Sequence, residues 1–153
     1  MSVPARKRHS KGQSMVELCA GLIVLIPVIM VLVDLAIMII AIQVNDATCR
    51  DAARAASARN PSDSDKTVDA IIQRVYKGGG YITGPTKINV NKLNVVAPPA
   101  GVGGPYQGNI EVETQITVRL PATIPGVLPT TAKFNSKQNF PYTYVEPPTI
   151  QPL

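Results

Sequence analysis

Gly12-Gln13-Ser14-Met15-Val16-Glu17 opens the stretch that decides the fold, and Leu18 to Ile42 carries it on as almost unbroken hydrocarbon. Ahead of it lies a short basic leader, residues 1–12, with Arg6, Lys7, Arg8 and Lys11. Two acids sit where acids are costly, Glu17 at the start of the apolar run and Asp34 inside it. About 25 residues rising 1.5 Å each cover roughly 37 Å, enough to cross the hydrocarbon core of a bilayer. Residues 15–42 are therefore expected to form one transmembrane helix in contact with lipid.

The net charge of +5 invites a nucleic-acid reading, but the charge is badly placed for one. Most of it comes from the four basic residues of the leader, so the rest of the chain is near neutral. Basic residues confined to one flank of an apolar span fit the positive-inside rule better than a DNA footprint, and no nucleic-acid partner is expected. The leader is then cytoplasmic. An ordinary secretory signal peptide does not fit, because the apolar region is too long and Asp34 interrupts it.

Pro27 falls within the span and removes one backbone hydrogen bond, a defect that membrane helices tolerate. Beyond Ile42 the helix is expected to run on into water as far as Arg59, where Asn60-Pro61 ends it. Asp46 with Arg50, and Asp51 with Arg54, have the spacing of helical ion pairs. A stripe of alanine permits another helix to approach closely. Residues 13–59 would form a helix about 70 Å long, far more than a bilayer requires, so the excess needs a packing partner. Cys19 and Cys49 would lie about 45 Å apart on it, beyond disulfide reach. They read as small hydrophobes, with a bond from Cys49 to a neighbouring subunit as the alternative.

Residues 60–146 read as a small α+β domain. Ser62 and Asp65 have a capping-box pattern, and Val68, Ile71, Ile72 and Val75 give one apolar helical face that stops at Gly78-Gly79-Gly80. Ile88 to Val96 reads as a strand. Ile110 to Leu120 is the clearest strand, with Ile110, Val112, Ile116, Val118 and Leu120 alternating with polar residues. Leu120 to Thr131 reads as a proline-rich loop, and Phe140 to Val145 as a short edge strand with Tyr142 and Tyr144 on one face. Residues 147–153 form a proline-rich tail. The expected fold is a long N-terminal membrane helix followed by one helix on an antiparallel sheet.

No catalytic constellation or metal spacing is legible, and no cofactor is expected. The single histidine, His9, lies in the leader. Asp63, Asp65 and Asp69 crowd the first turns of a helix, where acids favour the dipole, and the glycine and distal glutamate of a calcium loop are missing. The two acids of the apolar run are more informative. No basic residue lies between Met15 and Gln43, so neither acid can form a salt bridge within the span. Asp34 either sits at the outer headgroups or is buried with a partner.

A glycine preceded by a basic leader and followed at the fifth position by glutamate resembles the type IV prepilin processing signature. The string Gly12 to Glu17, with Asp34 later and Gln43-Val44-Asn45-Asp46-Ala47 and Arg50-Asp51-Ala52-Ala53-Arg54 after the span, resembles the TadE-like pseudopilins of tight-adherence (Tad/Flp) pilus systems. The resemblance covers Lys11 to Arg54. It implies cutting between Gly12 and Gln13 by an inner-membrane prepilin peptidase. It also implies pairing of Glu17 with the new amine of an adjacent subunit, and a role in assembly for Asp34. The implied protein is a minor pilin rather than an enzyme. Its partners would be other pilin subunits and an inner-membrane assembly platform. It would span the bacterial inner membrane once, with its C-terminal domain in the periplasm, and could enter the fibre. The competing reading is an unprocessed, membrane-anchored periplasmic binding or sensory domain, which leaves the spacing of Gly12 and Glu17 without a reason.

Overall fold

The computed structural model describes residues 11–75, 79–121 and 130–148, with side chains described from Ser14 onward. Leader residues Arg6, Lys7 and Arg8, Gly78 of the glycine stop, much of the proline-rich loop and the end of the tail lie outside these limits. The fold is α+β.

Helix α1 (Lys11–Ser57) is one unbroken helix of 47 residues and continues through Pro27. It stops slightly before the Asn60-Pro61 pair. The backbone N–H of Thr143 donates to the carbonyl of Ser57 at 2.9 Å, satisfying one of the orphan acceptors that every helix C-terminus presents. Helix α2 (Ser64–Val75) begins later than the capping-box reading implies. The side chain of Asn60 accepts from both the backbone N–H and the hydroxyl of Ser62, each at 3.0 Å. The first helical acceptor is the carbonyl of Asp63, bonded by Thr67 N–H at 3.0 Å. The Asn60 side chain thus makes the turn, and Asp63 occupies the cap.

The main sheet has three antiparallel strands in the order β1 (Ile82–Val96), β3 (Gln107–Arg119), β4 (Thr131–Pro141). A two-stranded ribbon joins β2 (Gly104–Pro105) to β5 (Val145–Glu146). Strand β3 is central. It buries Ile110, Val112, Thr114, Ile116 and Val118 on one face and turns Glu111, Glu113, Gln115, Thr117 and Arg119 to the other, as its alternation predicts. Strand β1 starts six residues before the expected Ile88. Gly84-Pro85 does not break it, because β1 is an edge and its register shifts between Thr83 and Thr86 around the proline.

Two expectations about the C-terminal part are corrected. Of the strand expected over Phe140 to Val145 only Phe140 and Pro141 belong to β4, which already starts at Thr131 and pairs with β3 without a register shift, while Val145 falls in β5. Tyr142 and Tyr144 do not share a strand face. Pro141 ends β4; Tyr142 then enters the core, and the Tyr144 ring lies 5.7 Å from that of Tyr106.

Both helices lie on the buried face of the sheet. Near the end of α1, Cys49, Ala52, Ala53 and Ala56 pack with Val68 and Ile72 of α2, with Ile110 and Val112 of β3, and with Tyr142. Lower on α1, Ala41 packs with Ile116, Val118 and Leu120, flanked by Ile37, Met38, Ile82 and Phe134. Ion pairs Lys87–Asp69 and Lys92–Asp65 tie α2 to the edge strand β1. The core therefore runs across the boundary expected at Asn60. The last turns of the long helix are the spine of the domain, and the packing partner that its length calls for is its own chain.

Candidate functional site

Helix α1 has two regimes, and the change falls at Asp34. From Ser14 to Val33 every residue is exposed, including Met15, Leu18, Ile23 and Ile26. This free part rises roughly 30 Å, the thickness of the hydrocarbon core. The helix is long and apolar enough to cross a membrane once. No described part of the chain covers these apolar residues, and their length and exposure suit a single-pass membrane anchor.

From Asp34 onward one stripe of the helix is buried: Asp34, Ala41, Asn45, Thr48, Cys49, Ala52, Ala53, Ala56 and Ser57. These positions recur at helical spacing, and all but Asp34 and Asn45 are small or compact. Small residues let α1 lie close on the sheet, close enough for its side chains to bond strand carbonyls. Asn45 Nδ2 donates to the carbonyls of Phe134 at 3.2 Å and Thr114 at 3.4 Å, and Thr114 Oγ1 donates to Asn45 Oδ1 at 2.9 Å. Cys49 Sγ lies 3.2 Å from the carbonyl of Val112 and 3.4 Å from that of Ser136. Buried polar groups with partners fix one register of helix on sheet, since a slip would leave them unpaired.

The residues singled out from the sequence fall as follows. Lys11, Gly12 and Gln13 form the first turn of α1, and Arg6, Lys7 and Arg8 lie outside the described residues. Glu17 is exposed on the free half, one helical turn from Gln13, a rise of about 6 Å. Asp34 is 2 % exposed. Of the two positions open to it, the headgroup layer and a buried site, the fold gives it the buried one, at the foot of the domain. Glu17 and Asp34 are separated by the free half of the helix and stand near its opposite ends.

The cysteines differ from each other. Cys19 is exposed on the free half, while Cys49 is fully buried and pointed into the sheet. A bond from Cys49 to a neighbouring subunit is thereby ruled out in the folded domain. The ion pairs expected at Asp46–Arg50 and Asp51–Arg54 do not form among the described residues; Arg54 lies over the Phe140 ring instead, 5.9 Å from its centre.

On the wet face of the sheet Lys137 Nζ lies 2.9 Å from Glu111, and Asn91 Nδ2 donates to the same carboxylate at 3.0 Å. The hydrogen bond from Lys137, then that from Asn91, holds the Glu111 carboxyl below the usual carboxylate range. Glu111 in turn holds the Lys137 ammonium above the usual lysine value. Sequence reasoning missed Asn45 as a register pin. The available signal was its position one turn after Ala41, one before Cys49 and two before Ala52, in line with residues too small to be membrane-facing filler.

No family model matches the chain, and neither a curated protein nor a solved structure matches it.

Proposed function

We propose that this chain is a pilin-like assembly component of the TadE type, cut after Gly12 by a prepilin peptidase and acting through α1 in building a Tad-type pilus. The observation that carries the reading is the form of α1 itself. A basic leader, Gly12 and Glu17 stand at the head of a single helix whose first half is bare and apolar, and whose second half is the spine of a small domain. A plain membrane anchor needs only the first half. Continuity between the two makes the domain a rigid extension of the membrane helix, so a pull on one moves the other without a hinge.

In this reading the free half rests in the inner membrane before assembly and packs among other pilin helices afterwards. The domain sits on the periplasmic side. Glu17 answers the new amine of a neighbouring subunit at Gln13, which supplies the cation that the span lacks. Breaking a buried pair of this kind leaves one charge uncompensated at roughly 3–5 kcal/mol. The role is structural rather than catalytic.

The deciding measurement is the mature N-terminal residue, read by mass spectrometry on protein from its native host. A terminus at Gln13 supports the reading. A bulky residue at Gly12 should leave the precursor intact. A terminus at Met1 or Ser2, with the peptidase present, overturns it in favour of an unprocessed anchor.

A further inference from the structure

The apolar surface of α1 does not stop where the domain begins. On the side turned away from the sheet, Leu35, Ile39, Ile40 and Ile42 remain exposed, Leu35 and Ile39 at 47 % and 54 %. At the same level on the other side, Ile37 and Met38 pack, as Ile82 does, against the cluster of Ala41, Ile116, Val118 and Leu120. One stretch of helix therefore carries bare hydrocarbon on one face and the foot of the domain on the other.

Its length decides where that foot sits. Met15 to Ile42 rises roughly 42 Å, against about 30 Å of hydrocarbon and about 40–45 Å for the bilayer with its headgroups. A tilt of about 20° shortens this reach by only a few ångströms. With the Glu17 carboxylate at the inner boundary, the outer edge of the hydrocarbon falls near Ile37, about 30 Å further on. The helix from there to Ile42, and the domain packed on it, then lie among the outer headgroups.

The foot of the domain is suited to that layer. Tyr81 is 53 % exposed and immediately precedes β1. Its carbonyl accepts the backbone N–H of Arg119 at 2.7 Å, which places the last residue of β3 beside it. Arg119 pairs with Thr131 and Thr117 with Lys133, so Arg119 and Lys133 are diagonal neighbours on the wet face of the sheet, and both are exposed. The acids of that face, Glu111 and Glu113, lie towards its far end, where Lys137 engages Glu111. The face is thus positive at the end nearest the bare helix. Tyrosine favours the water–lipid boundary, and arginine matches phosphate oxygens with its planar fork.

We propose that this end of the domain, through Tyr81, Arg119 and Lys133, is a lipid-binding surface that rests on the outer headgroups and binds the phosphates of anionic lipids. The inference depends on α1 being a membrane anchor and adds to it a second, peripheral contact. That contact sets the height and the rotation of the domain over the bilayer.

The chain contains no tryptophan, so each single Trp variant is its own reporter. The full chain is reconstituted in vesicles of phosphatidylcholine mixed with phosphatidylglycerol, with Tyr81→Trp, Leu25→Trp or Tyr144→Trp as the probe. Quenching is read with lipids carrying a nitroxide at the headgroup or deep in the acyl chain. Leu25→Trp should be quenched by the deep label, Tyr81→Trp several-fold more by the headgroup label than Tyr144→Trp. Arg119→Gln with Lys133→Gln, or removal of phosphatidylglycerol, should reduce the Tyr81→Trp quenching and leave that at Leu25→Trp unchanged. A Leu25→Trp signal blind to the deep label refutes the anchor itself. Deep quenching there, with Tyr81→Trp no more quenched than Tyr144→Trp, overturns the headgroup contact and leaves the anchor standing. Tyr81→Trp quenching that survives both the double variant and neutral lipid overturns the binding of anionic phosphates.

Discussion

Asn45 and Thr114 bond one another in both directions across the helix–sheet interface: the threonine hydroxyl donates to the amide oxygen, and the amide nitrogen donates to the threonine carbonyl. Both residues are essentially excluded from solvent. The same amide nitrogen reaches the carbonyl of Phe134, so one side chain of α1 holds both the central and the outer strand.

Asn45→Leu should therefore destabilise the folded domain despite adding apolar volume. It leaves the Thr114 hydroxyl buried without its acceptor, a loss on the order of 1–3 kcal/mol. Asn45→Leu combined with Thr114→Val should recover part of that loss, because both ends of the bond are then gone. Denaturant titration of the full chain in detergent, followed by circular dichroism, gives both numbers. Equal stability of Asn45→Leu and the unsubstituted chain would show that the bond does not fix the register.

Cys49 should be inert while the domain is folded. Its sulfur is buried against two strand carbonyls, and a maleimide needs an exposed thiolate. In a Cys19→Ser background, labelling should be undetectable in mild detergent and complete in denaturant. Rapid labelling under native conditions would mean that α1 leaves the sheet readily, which the packing of Ala52, Ala53 and Ala56 argues against.

Strand β3 and helix α2 were readable because each follows a single period, and the free half of α1 because its apolar run is unbroken over the length of a span. Strand β4 carries neither signal. The inward face of β4 runs Ala132, Phe134, Ser136, Gln138, Phe140, and its two polar members interrupt the apolar alternation. Ser136 is small where Cys49 comes down on it, so the demand of the helix overrides the pattern of the strand. The buried stripe of α1 was readable only as small residues awaiting a neighbour. That the neighbours are α2 and β3 of the same chain depends on contacts far apart in sequence. The resemblance to a processing signature stands at the opposite extreme: it is carried by the sequence around Gly12 and Glu17, and the fold adds to it only a continuous helix.

The Glu111–Lys137 pair gives the wet face a pH dependence at both ends. Glu111 is held below its usual value, so its contribution is full above the ordinary carboxylate range and is lost as pH falls through the lowered pKa. Lys137 is held above its usual value, so its contribution is full below the ordinary lysine range and is lost as pH rises through the raised one. Glu111→Gln should lower Tm slightly at neutral pH and leave it unchanged in acid, which flattens the acid-side decline; the effect is small because Lys137 is exposed. Thermal melts from acid to neutral pH provide the check. Parallel curves for the two proteins would deny the pair its role.

The position of the core predicts which part of the chain folds alone. A fragment starting at Asn60 keeps α2 and all the strands but loses Ala41, Cys49, Ala52, Ala53 and Ala56, one entire wall of both apolar clusters. It also loses the partners of the Thr114 hydroxyl and of the Thr143 backbone N–H. Domains of this size are stable by only about 5–15 kcal/mol, and stripping a helix from the core removes more than that margin. The fragment from Asn60 should show no cooperative thermal transition and should expose its sheet to hydrophobic dyes. A fragment starting at Asp34 retains the whole buried stripe and drops only the bare half of α1. It should unfold cooperatively, with the mixed helix and strand signal of the full chain, though Leu35, Ile39 and Ile40 will keep it in need of mild detergent. If the shorter fragment folds as well as the longer one, the second half of α1 is a passenger on the domain, and the rigid link between membrane helix and domain loses its structural basis.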